Sequence, residues 1–352
     1  MKINVSDLKR ALILLDNVII RSSLDDPMTT LVEFITKDGI LYGYGWDKTN
    51  YIRVKVAEVD EDFHATLEFV LFFNIVKSIK SDVIDISVDK KNQKIINIKA
   101  TEMKCKLNII YDATKEITSI PTEPALSDDM YQDIDLSKFN SYKSLIKSII
   151  DEDFVEECYQ NVYISKSMLF TDLDNVILIN ENLFNNNILL KSKSINILSK
   201  LDGKYAIAEN SKHILSLYVK TEDADLVMIG QNKENYDKDE LLTLFSVDFE
   251  NTCTINGELL SDAINTSNLF SYDQLQLSFE SNGVYIKIEP IDFKYKISND
   301  PCAPCSYEVD RTLLKRLILT KDDVKVSYNK DDSIIRVDYD NIHGIFSLRD
   351  DD

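Results

Sequence analysis

Short runs that alternate apolar and polar residues recur along the chain, and an amphipathic segment separates the first run of each group from the next three. In the first group, Lys2-Ile3-Asn4-Val5 alternates, and Leu8, Ala11, Leu12 and Leu15 then follow at i, i+3, i+4 and i+7. We expect Ser6 to cap this helix. Three alternating runs follow at 29–36, 40–46 and 51–57. The pattern predicts one strand, one helix and three strands.

The same order of one strand, one helix and three strands occurs six times, which is the signature of an internal repeat. Generic alternation of helices and strands would produce some period in any strand-rich chain, but six units in one order argue against that alternative. The predicted helices cover 6–16, 69–80, 137–150, 191–201, 256–266 and 310–321.

Pairs of repeats predict three similar domains in an α+β fold, each built from two β-α-β-β-β units. The domain boundaries are placed at 1–121, 122–234 and 235–352. Pro121 and Pro124 mark the first boundary, and the polar run 231–239 marks the second.

Two local matches support true repetition. VSDLKRALILL at 5–15 is similar to VDRTLLKRLIL at 309–319, and ILYGYGWDKTN at 40–50 is similar to MLFTDLDNVIL at 168–178. In the second pair, each segment places Asp at the end of the third strand. The Lys48, Arg53 and Lys55 side chains that follow the first of these loops are interpreted as a solvated strand face.

The whole chain resembles the bacterial-type DNA sliding clamp, the beta subunit of replicative DNA polymerase, in a divergent form. The opening MKINVSDLKRALILL is similar to that family's first strand and helix, and KCKLNII followed by Ile120-Pro121 resembles the close of its first domain. FKYKIS, SYEVDRTLLKRLI and GIFSLR resemble its third domain. The resemblance implies a DNA-clamp fold, with antiparallel sheets outside and helices lining a ring.

The resemblance also implies a function and a set of partners. Clamps of this family close as head-to-tail homodimers around double-stranded DNA without reading its sequence. They tether the DNA polymerase and are placed on DNA by a clamp loader. They catalyse no reaction, so the expected assembly is a homodimeric processivity factor with no cofactor.

Charge is distributed as a ring around a polyanion requires. The 352-residue chain carries a formal charge of −20, which as a whole repels nucleic acid and anionic membranes. Lys and Arg minus Asp and Glu give +9 over the six predicted helices, which leaves −29 for the remainder. Non-specific DNA binding needs diffuse cations that contact phosphates. The segregation therefore favours helices that face DNA, except for the fifth helix, whose charge is −2.

Nine cations on or beside the exposed faces of these helices are the predicted DNA-binding residues. For any one of them, simple solvation of an exposed helix face explains the charge equally well. The set comprises Lys9, Arg10, Lys77, Lys80, Lys143, Lys147, Lys200, Lys315 and Arg316.

A second predicted site follows from the resemblance, because family members receive partner peptides in an apolar pocket between the second and third domains. The family's Thr-Asp-Gly-His-Arg-Leu stretch corresponds here to Thr171-Asp-Leu-Asp-Asn-Val176, and its chain end to Phe346-Ser-Leu-Arg349. Both stretches depart from the family pattern, so we expect altered peptide specificity. Ordinary core packing is the alternative, especially for Ile177. The predicted pocket residues are Asp172, Asn175, Val176, Ile177, Phe346 and Leu348.

Motifs for catalysis or metal binding are absent from the sequence. His64, His213 and His343 lie in separate repeats, and five scattered cysteines suit a reducing cytoplasm better than a disulfide framework. Cys302-Ala-Pro-Cys305 has too few neighbours for a zinc site, and a redox pair is the lesser alternative. No apolar run reaches membrane length, so the expected location is the cytoplasm of a bacterium or of a phage-infected cell.

Two other functions stay open at this point. The chain could be a clamp-shaped decoy that sequesters replication proteins, or another β-rich binding protein that never encircles DNA. A hydrolase with dispersed carboxylates has no positive indication in the sequence.

Overall fold

The structure is a computed structural model of the chain. It describes residues 1–24, 26–133, 142, 145–146, 161–164, 167–171, 175–181, 187–198, 203–231, 238–316, 320–330 and 334–348.

Strands dominate the described residues. The strands of repeats one and two are β1 (Lys2–Asn4), β2 (Leu31–Lys37), β3 (Ile40–Trp46), β4 (Asn50–Glu58), β5 (His64–Glu68), β6 (Val83–Val88), β7 (Ile95–Lys99) and β8 (Lys104–Asn108). Those of repeats three and four are β9 (Gln132–Asp133), β10 (Asn161–Ile164), β11 (Met168–Thr171), β12 (Asn175–Ile179), β13 (Ile188–Lys191), β14 (Lys204–Glu209), β15 (Leu215–Lys220) and β16 (Ala224–Ile229). Those of repeats five and six are β17 (Asn251–Asn256), β18 (Gln274–Glu280), β19 (Gly283–Ile288), β20 (Phe293–Ser298), β21 (Cys305–Asp310), β22 (Asp323–Tyr328), β23 (Ile334–Tyr339) and β24 (Ile342–Ser347).

Helices in the described residues are short. They are α1 (Val5–Leu15), α2 (Phe69–Ser78), α3 (Ser192–Leu198), α4 (Lys238–Thr243), α5 (Gly257–Ser267) and α6 (Arg311–Arg316). Tyr142, Leu145 and Ile146 are also helical. Turns of 3₁₀ helix occur at Pro27–Thr30, Asp128–Met130, Leu244–Ser246 and Glu289–Ile291.

The first helix shows how the sequence pattern becomes structure. Leu8, Ala11, Leu12 and Leu15 are all buried, as their spacing predicts. The predicted cap at Ser6 is wrong: the helix begins at Val5, and the Asn4 side chain accepts a hydrogen bond from the Ser6 backbone N–H at 3.0 Å. Asn caps as well as Ser, so the earlier residue takes that position.

The β2–β3 hairpin also follows directly from its residues. Asp38 and Gly39 both adopt positive φ, at 51° and 75°. A two-residue turn of this kind matches the twist of the two strands, and Asp-Gly tolerates it well.

Four antiparallel sheets account for the described strands. Two have four strands, in the orders β1-β6-β7-β8 and β20-β19-β18-β21. Two have eight, in the orders β5-β2-β3-β4-β16-β15-β14-β9 and β13-β10-β11-β12-β24-β23-β22-β17.

Neighbouring repeats exchange their first strands. β1 of the first repeat pairs with β6 of the second, and β5 of the second pairs with β2 of the first. Repeats three and four exchange β9 and β13 in the same way, and repeats five and six exchange β17 and β21. Because this exchange occurs in all three pairs, the fold is built from the six repeats that the sequence predicts.

The chain separates into two compact bodies, each holding one four-stranded and one eight-stranded sheet. The first body is Met1–Lys138 with Lys193–Gly230, and the second is Phe139–Ser192 with Gln231–Asp352. The predicted middle domain, 122–234, contributes strands to both eight-stranded sheets. The domain boundaries at 121 and 234 stay predictions.

Candidate functional site

Helices α1 and α2 lie side by side in the first body and carry four of the predicted DNA-binding residues. Arg10, Lys77 and Lys80 are exposed, whereas Lys9 is half-buried. The Lys9 Nζ atom donates a 2.7 Å hydrogen bond to the Ile79 carbonyl oxygen, at the end of α2. Lys9 therefore fastens the two helices together, and a cation suits the negative end of a helix dipole.

Arg10 is also engaged. One of its guanidinium nitrogens lies 3.4 Å from Asp223 Oδ2, and the two side chains are 55% and 29% exposed. An ion pair this accessible is weak and exchanges readily with another anion. Lys77 and Lys80 make no ion pair within the described residues, so on this helix pair they are the cations freest to meet a phosphate.

A buried polar cluster holds another helix cation in place. Asp47, only 5% exposed, accepts hydrogen bonds from the backbone N–H groups of Thr49 and Asn50 at 2.9 and 2.7 Å. Lys193 Nζ lies 3.3 Å from Asp47 Oδ2, and Ser194 Oγ donates to Asn50 Oδ1 at 2.9 Å. The Asp at the end of the third strand is thus a structural anchor for α3. The positive charge of Lys193 is neutralised by the Asp47 carboxylate.

The second body contributes an uneven helix pair. Glu258, Asp262 and Asn265 are exposed on α5, so this helix presents acid where the others present base, as its charge of −2 predicts. On the neighbouring α6, Lys315 is exposed. Arg316 closes α6, and its side chain lies outside the described part of the structure.

Four predicted residues lie outside the described residues altogether. They are Lys143, Lys147 and Lys200 of the DNA-binding set and Asp172 of the pocket set.

The predicted peptide pocket falls where β12 pairs with β24, at the centre of the second body's eight-stranded sheet. Residues directly opposite each other in an antiparallel pair share a face. Val176 lies opposite Ile345 on one face, whereas Asn175 lies opposite Phe346 and Ile177 opposite Gly344 on the other. All five described pocket residues, Asn175, Val176, Ile177, Phe346 and Leu348, are at least 96% buried.

The face with Val176 carries an apolar cluster with a partly exposed cover. Tyr163, Leu169, Val176 and Leu189 form this cluster. The cover is the leucine-rich segment, defined as the apolar residues that pack on the cluster from outside the sheet: Leu241, Leu242, Leu244 and Phe245.

The sequence reading missed the leucine-rich segment. The sequence pattern predicts a polar domain boundary at 231–239 and assigns no role to the residues that follow. The signal was present one step further on, because an apolar run, Leu-Leu-Thr-Leu-Phe, follows at 241–245. These side chains are half-buried, so part of their apolar surface stays accessible.

Charged side chains lie beside this apolar cluster on the same face of the sheet. Asp338 lies opposite His343, which in turn lies opposite Leu178. Asp338 Oδ1 is 2.9 Å from Arg336 Nε and 2.7 Å from His343 Nδ1. Arg336 also donates to the Phe245 carbonyl oxygen at 3.1 Å, which ties the leucine-rich segment to the sheet. This face is thus apolar beside Val176 and carries hydrogen-bonding groups beside Arg336.

The equivalent position in the first body, where β4 pairs with β16, has different chemistry. Arg53 lies directly opposite Asp225, and its Nε donates to Asp225 Oδ2 at 2.9 Å. A cavity of about 240 Å³ opens beside this pair, under residues 121–125. Tyrosine rings dominate its lining, and burial raises the pKa of Tyr218 to about 12. The sequence reading had taken Arg53 for a solvated side chain.

Among the described thiols, Cys253 and Cys302 lie close enough to each other to hydrogen-bond. Cys105, Cys253, Cys302 and Cys305 are free, and Cys158 lies outside the described residues. Burial raises the pKa of the Cys253 and Cys302 thiols, which makes them poor nucleophiles.

Comparison with known proteins gives a likeness in structure and none in sequence. No family model matches the chain, and no curated protein matches it. Three solved structures align over 99% of the chain and over 98–100% of their own. They are the DNA polymerase III beta chain of Streptococcus pneumoniae (TM-score 0.80, 13% identity), the sliding clamp of Bacillus subtilis (0.79, 15%) and the Helicobacter pylori beta clamp bound to a DNA ligase peptide (0.77, 13%).

The chain therefore has the fold of the bacterial DNA sliding clamp, as the sequence resemblance predicts. The likeness runs through all six repeats, since it covers nearly the whole chain. At this level of identity, it carries no individual functional residue across. Among the described helices, none has the length and apolar character needed to cross a membrane.

Proposed function

We propose that the protein is a DNA sliding clamp: two copies close head to tail into a ring around duplex DNA, and the ring tethers a DNA polymerase. The observation that supports this most strongly is the strand exchange repeated in three pairs of repeats, together with the full-length likeness to bacterial clamps. A ring that only needs to surround DNA requires no catalytic group. A non-catalytic role follows from this proposal.

Among the described residues, the helix charge that remains available to contact DNA is smaller than the sequence sum suggests. Lys9 and Lys193 are held by polar groups of the fold, and Arg10 is shared with Asp223. Lys77, Lys80 and Lys315 are exposed. We infer weak, exchangeable phosphate contacts, which suit a protein that slides.

The proposed partner site is the groove between the leucine-rich segment and the β12–β24 strands. An extended peptide would place apolar side chains against Val176 and the leucines and polar groups against Arg336, Asp338 and His343. The H. pylori clamp, which shares the fold, was solved with a DNA ligase peptide. The proposed occupants here are peptides of the polymerase and the clamp loader, in a cytoplasm that holds all three.

Topological trapping tests the proposal without a loader. The protein is mixed with linear plasmid, the DNA ends are ligated, and the circles are passed through gel filtration in high salt. We expect protein to co-elute with the circles and to be lost after one restriction cut. Equal retention before and after the cut, or none on ligated circles, would contradict encirclement. A decoy would bind replication proteins yet show no retention.

The helix cations are tested in the same assay. Changing Lys77, Lys80 and Lys315 to Ala should shorten the time that the ring stays on the linear DNA before ligation. It should also reduce the salt dependence of DNA binding, because each lost phosphate contact removes about 0.9 from the slope of log K against log salt. The exposed turn lysines Lys91, Lys212 and Lys330 supply the matched control, since their change to Ala makes the same change in net charge without altering helices. Equal effects of the two sets would remove the helix assignment.

A further inference from the structure

A partly enclosed cavity lies beside the β4–β16 pair, on the face of the sheet that residues 121–125 cover. Its volume is about 240 Å³. An apolar cavity of about 150 Å³ is large enough to bind benzene, so this one has room for a single aromatic ring with a short arm. The proposed clamp function makes no use of this space. Four tyrosines line it: Tyr44, Tyr51, Tyr131 and Tyr218.

Three of these tyrosines add no negative charge to the cavity. Burial raises the pKa of Tyr51 and that of Tyr131 above the ordinary value of 10.0, and it raises the pKa of Tyr218 to about 12. All three side chains therefore stay protonated at neutral pH. Their rings offer apolar area against which another ring packs edge to face or with an offset.

Both carboxylates that line the cavity already have partners. Asp225 Oδ2 accepts a hydrogen bond from Arg53 Nε at 2.9 Å. Glu123 Oε1 accepts from Ser211 Oγ at 2.9 Å, and Glu123 Oε2 accepts from the Ser211 backbone N–H at 3.1 Å. The two bonds from Ser211 fasten the covering segment to the turn that follows β14, so they hold the cover of the cavity in place.

Two donors that line the cavity have no acceptor within the described residues. Tyr44, on β3, is 4% exposed, and its hydroxyl has no hydrogen-bond partner there. Lys37, at the end of β2, makes no ion pair there, and its Nζ atom lies 5.1 Å from the centre of the Tyr44 ring. A buried hydroxyl without a partner costs free energy, so a ligand that brings an acceptor recovers this cost.

We propose that the cavity binds a small aromatic carboxylate. The ring of the ligand packs among the tyrosines beneath residues 121–125, and its carboxylate accepts hydrogen bonds from Lys37 Nζ and the Tyr44 hydroxyl. A hydrogen bond between an ammonium group and a carboxylate is charge-assisted and about twice as strong as a neutral one. The charge therefore orients the ligand, with its carboxylate at the Lys37 end of the cavity.

Cations are the other class of ligand that tyrosine rings attract. Here, cations of the protein already lie against such rings. Lys37 lies over Tyr44, and the Arg53 guanidinium lies over the neighbouring Tyr42 at 5.2 Å. An added ammonium group would meet like charges on this side of the cavity, whereas an added carboxylate meets donors. The arrangement therefore favours an anion.

The chain carries its own reporter for this cavity. Trp46 is its single tryptophan, and the Trp46 ring stacks on Tyr51 with ring centroids 6.2 Å apart and an interplanar angle of 25°. A ligand that packs on Tyr51 should therefore change the fluorescence of Trp46. Titration of the full chain with 3-phenylpropionate, without DNA, would give the dissociation constant.

A series of ligands separates the contribution of the carboxylate from that of the ring. We expect 3-phenylpropionate to bind saturably. We expect 3-phenylpropanamide to bind roughly tenfold more weakly, because it keeps the ring and loses the charge. Phenethylammonium carries the opposite charge on a similar body and should bind more weakly still.

A peptide distinguishes two sources of the same chemistry, a free metabolite and the C-terminal residue of a protein. The probe is the tripeptide Gly-Gly-Phe with a free carboxylate, titrated in the same way. An affinity at least equal to that of 3-phenylpropionate would assign the ligand to a protein terminus, and a lower affinity would assign it to a free acid. Either result supports the site.

Two variants test the two donors. Lys37→Gln should weaken binding of the acid roughly tenfold and leave the affinity for the amide unchanged, because only a charge is lost. Tyr44→Phe removes one hydroxyl and should weaken binding of the acid about fivefold. Lys91→Gln is the matched control, since it makes the same change in net charge as Lys37→Gln in an exposed turn of the first body. It should leave both affinities unchanged.

Several results would overturn the inference. These are the absence of a saturable response to the acid, an amide or ammonium compound that binds as tightly as the acid, and an affinity for the acid that neither donor variant lowers more than Lys91→Gln does. The clamp function is judged separately by retention on ligated circles, because no residue of this cavity belongs to the proposed DNA or peptide sites. Either proposal can therefore fail while the other stands.

Discussion

The two eight-stranded sheets are joined at their centres in the same way but with different side chains. In each, the last strand of one repeat pairs with the last strand of another, and a connecting segment covers the joint on one face. The first joint uses the Arg53–Asp225 ion pair and buried tyrosines under residues 121–131. The second uses Val176 and its apolar neighbours under the leucine-rich segment.

This difference shows how one backbone pattern serves two purposes. Strand pairing fixes the geometry of both joints, so the covering side chains are free to diverge. In the first joint, Arg53 and Asp225 neutralise each other across the facing strands. The second leaves half-buried leucines beside hydrogen-bonding groups, which is the combination that a peptide ligand needs. We therefore propose that partners bind at the second joint.

The largest expected effect is a loss of stability that is confined to the second joint. Phe346 is 1% exposed, and Phe346→Ala should lower the free energy of unfolding by about 3–5 kcal/mol, because it removes buried area and leaves a cavity. Hydrogen exchange read by mass spectrometry would show the loss of protection in β12 and β24. Protection lost equally in β4 and β16 would contradict independent joints. Ile334→Ala, at a position 39% exposed, is the mild control.

Ligand binding should distinguish the joints next. Random peptides displayed on phage would be selected on the full chain and re-tested by fluorescence anisotropy. We expect Leu244→Glu to weaken the selected peptides at least tenfold, about 1.4 kcal/mol, because it places a charge in the apolar side of the groove. Arg53→Met at the first joint is the matched control and should leave affinity unchanged. Peptides that depend on Arg53 and ignore Leu244 would reverse the assignment.

A smaller effect measures the ion pair of the first joint. Arg53 and Asp225 are 38% and 21% exposed, so solvent screens them, and a double-mutant cycle of Arg53→Met with Asp225→Asn should give a coupling of about 0.5–1 kcal/mol. The coupling should fall in 1 M salt. No coupling at low salt would mean that the tyrosines alone hold this joint.

The smallest effect is a pH response at the end of α2, in the first body only. The Glu102 carboxylate accepts hydrogen bonds from the backbone N–H groups of Lys80 and Ser81, which lowers its pKa to about 2. A carboxyl whose pKa is lowered in the folded state stabilises the fold at pH values above its ordinary pKa of 4.5. This stabilisation is lost as the pH falls from 4.5 towards 2. The protection factors of the Lys80 and Ser81 amides, which correct exchange rates for their intrinsic pH dependence, should fall over that range.

A Glu102→Gln variant provides the control for this response. It should show fast exchange of both amides at pH 5 and little further change on acidification. Unchanged protection factors of the two amides in the wild type down to pH 2.5 would show that these hydrogen bonds do not hold the helix end.

Much of the fold could be predicted because periodicity reports burial. β3 coincides with the run predicted at 40–46, and the buried face of α1 is the predicted one. Strand order could not be predicted in this way. The exchange of β1 and β5 between repeats depends on contacts between residues distant in sequence, which a local pattern does not report.

The site was less predictable for the same reason. Charge sums identified the basic helices, yet they could not show that Lys9 binds the end of a neighbouring helix or that Lys193 binds Asp47. The leucine-rich segment was overlooked because its function comes from the sheet beneath it. Alternation along the strand already separates Val176 from Ile177, but only the register with β24 shows which residues lie opposite each of them.

One measurement tests encirclement most directly. After threading onto linear plasmid and ligation, a lysine-reactive cross-linker would be added to join neighbouring copies of the chain, and the DNA would be run in detergent. We expect detergent-resistant protein on circles, released by a single cut, with cross-links between two copies of the chain. Protein that detergent strips from intact circles despite those cross-links, or that stays on the cut DNA, would contradict a ring around DNA.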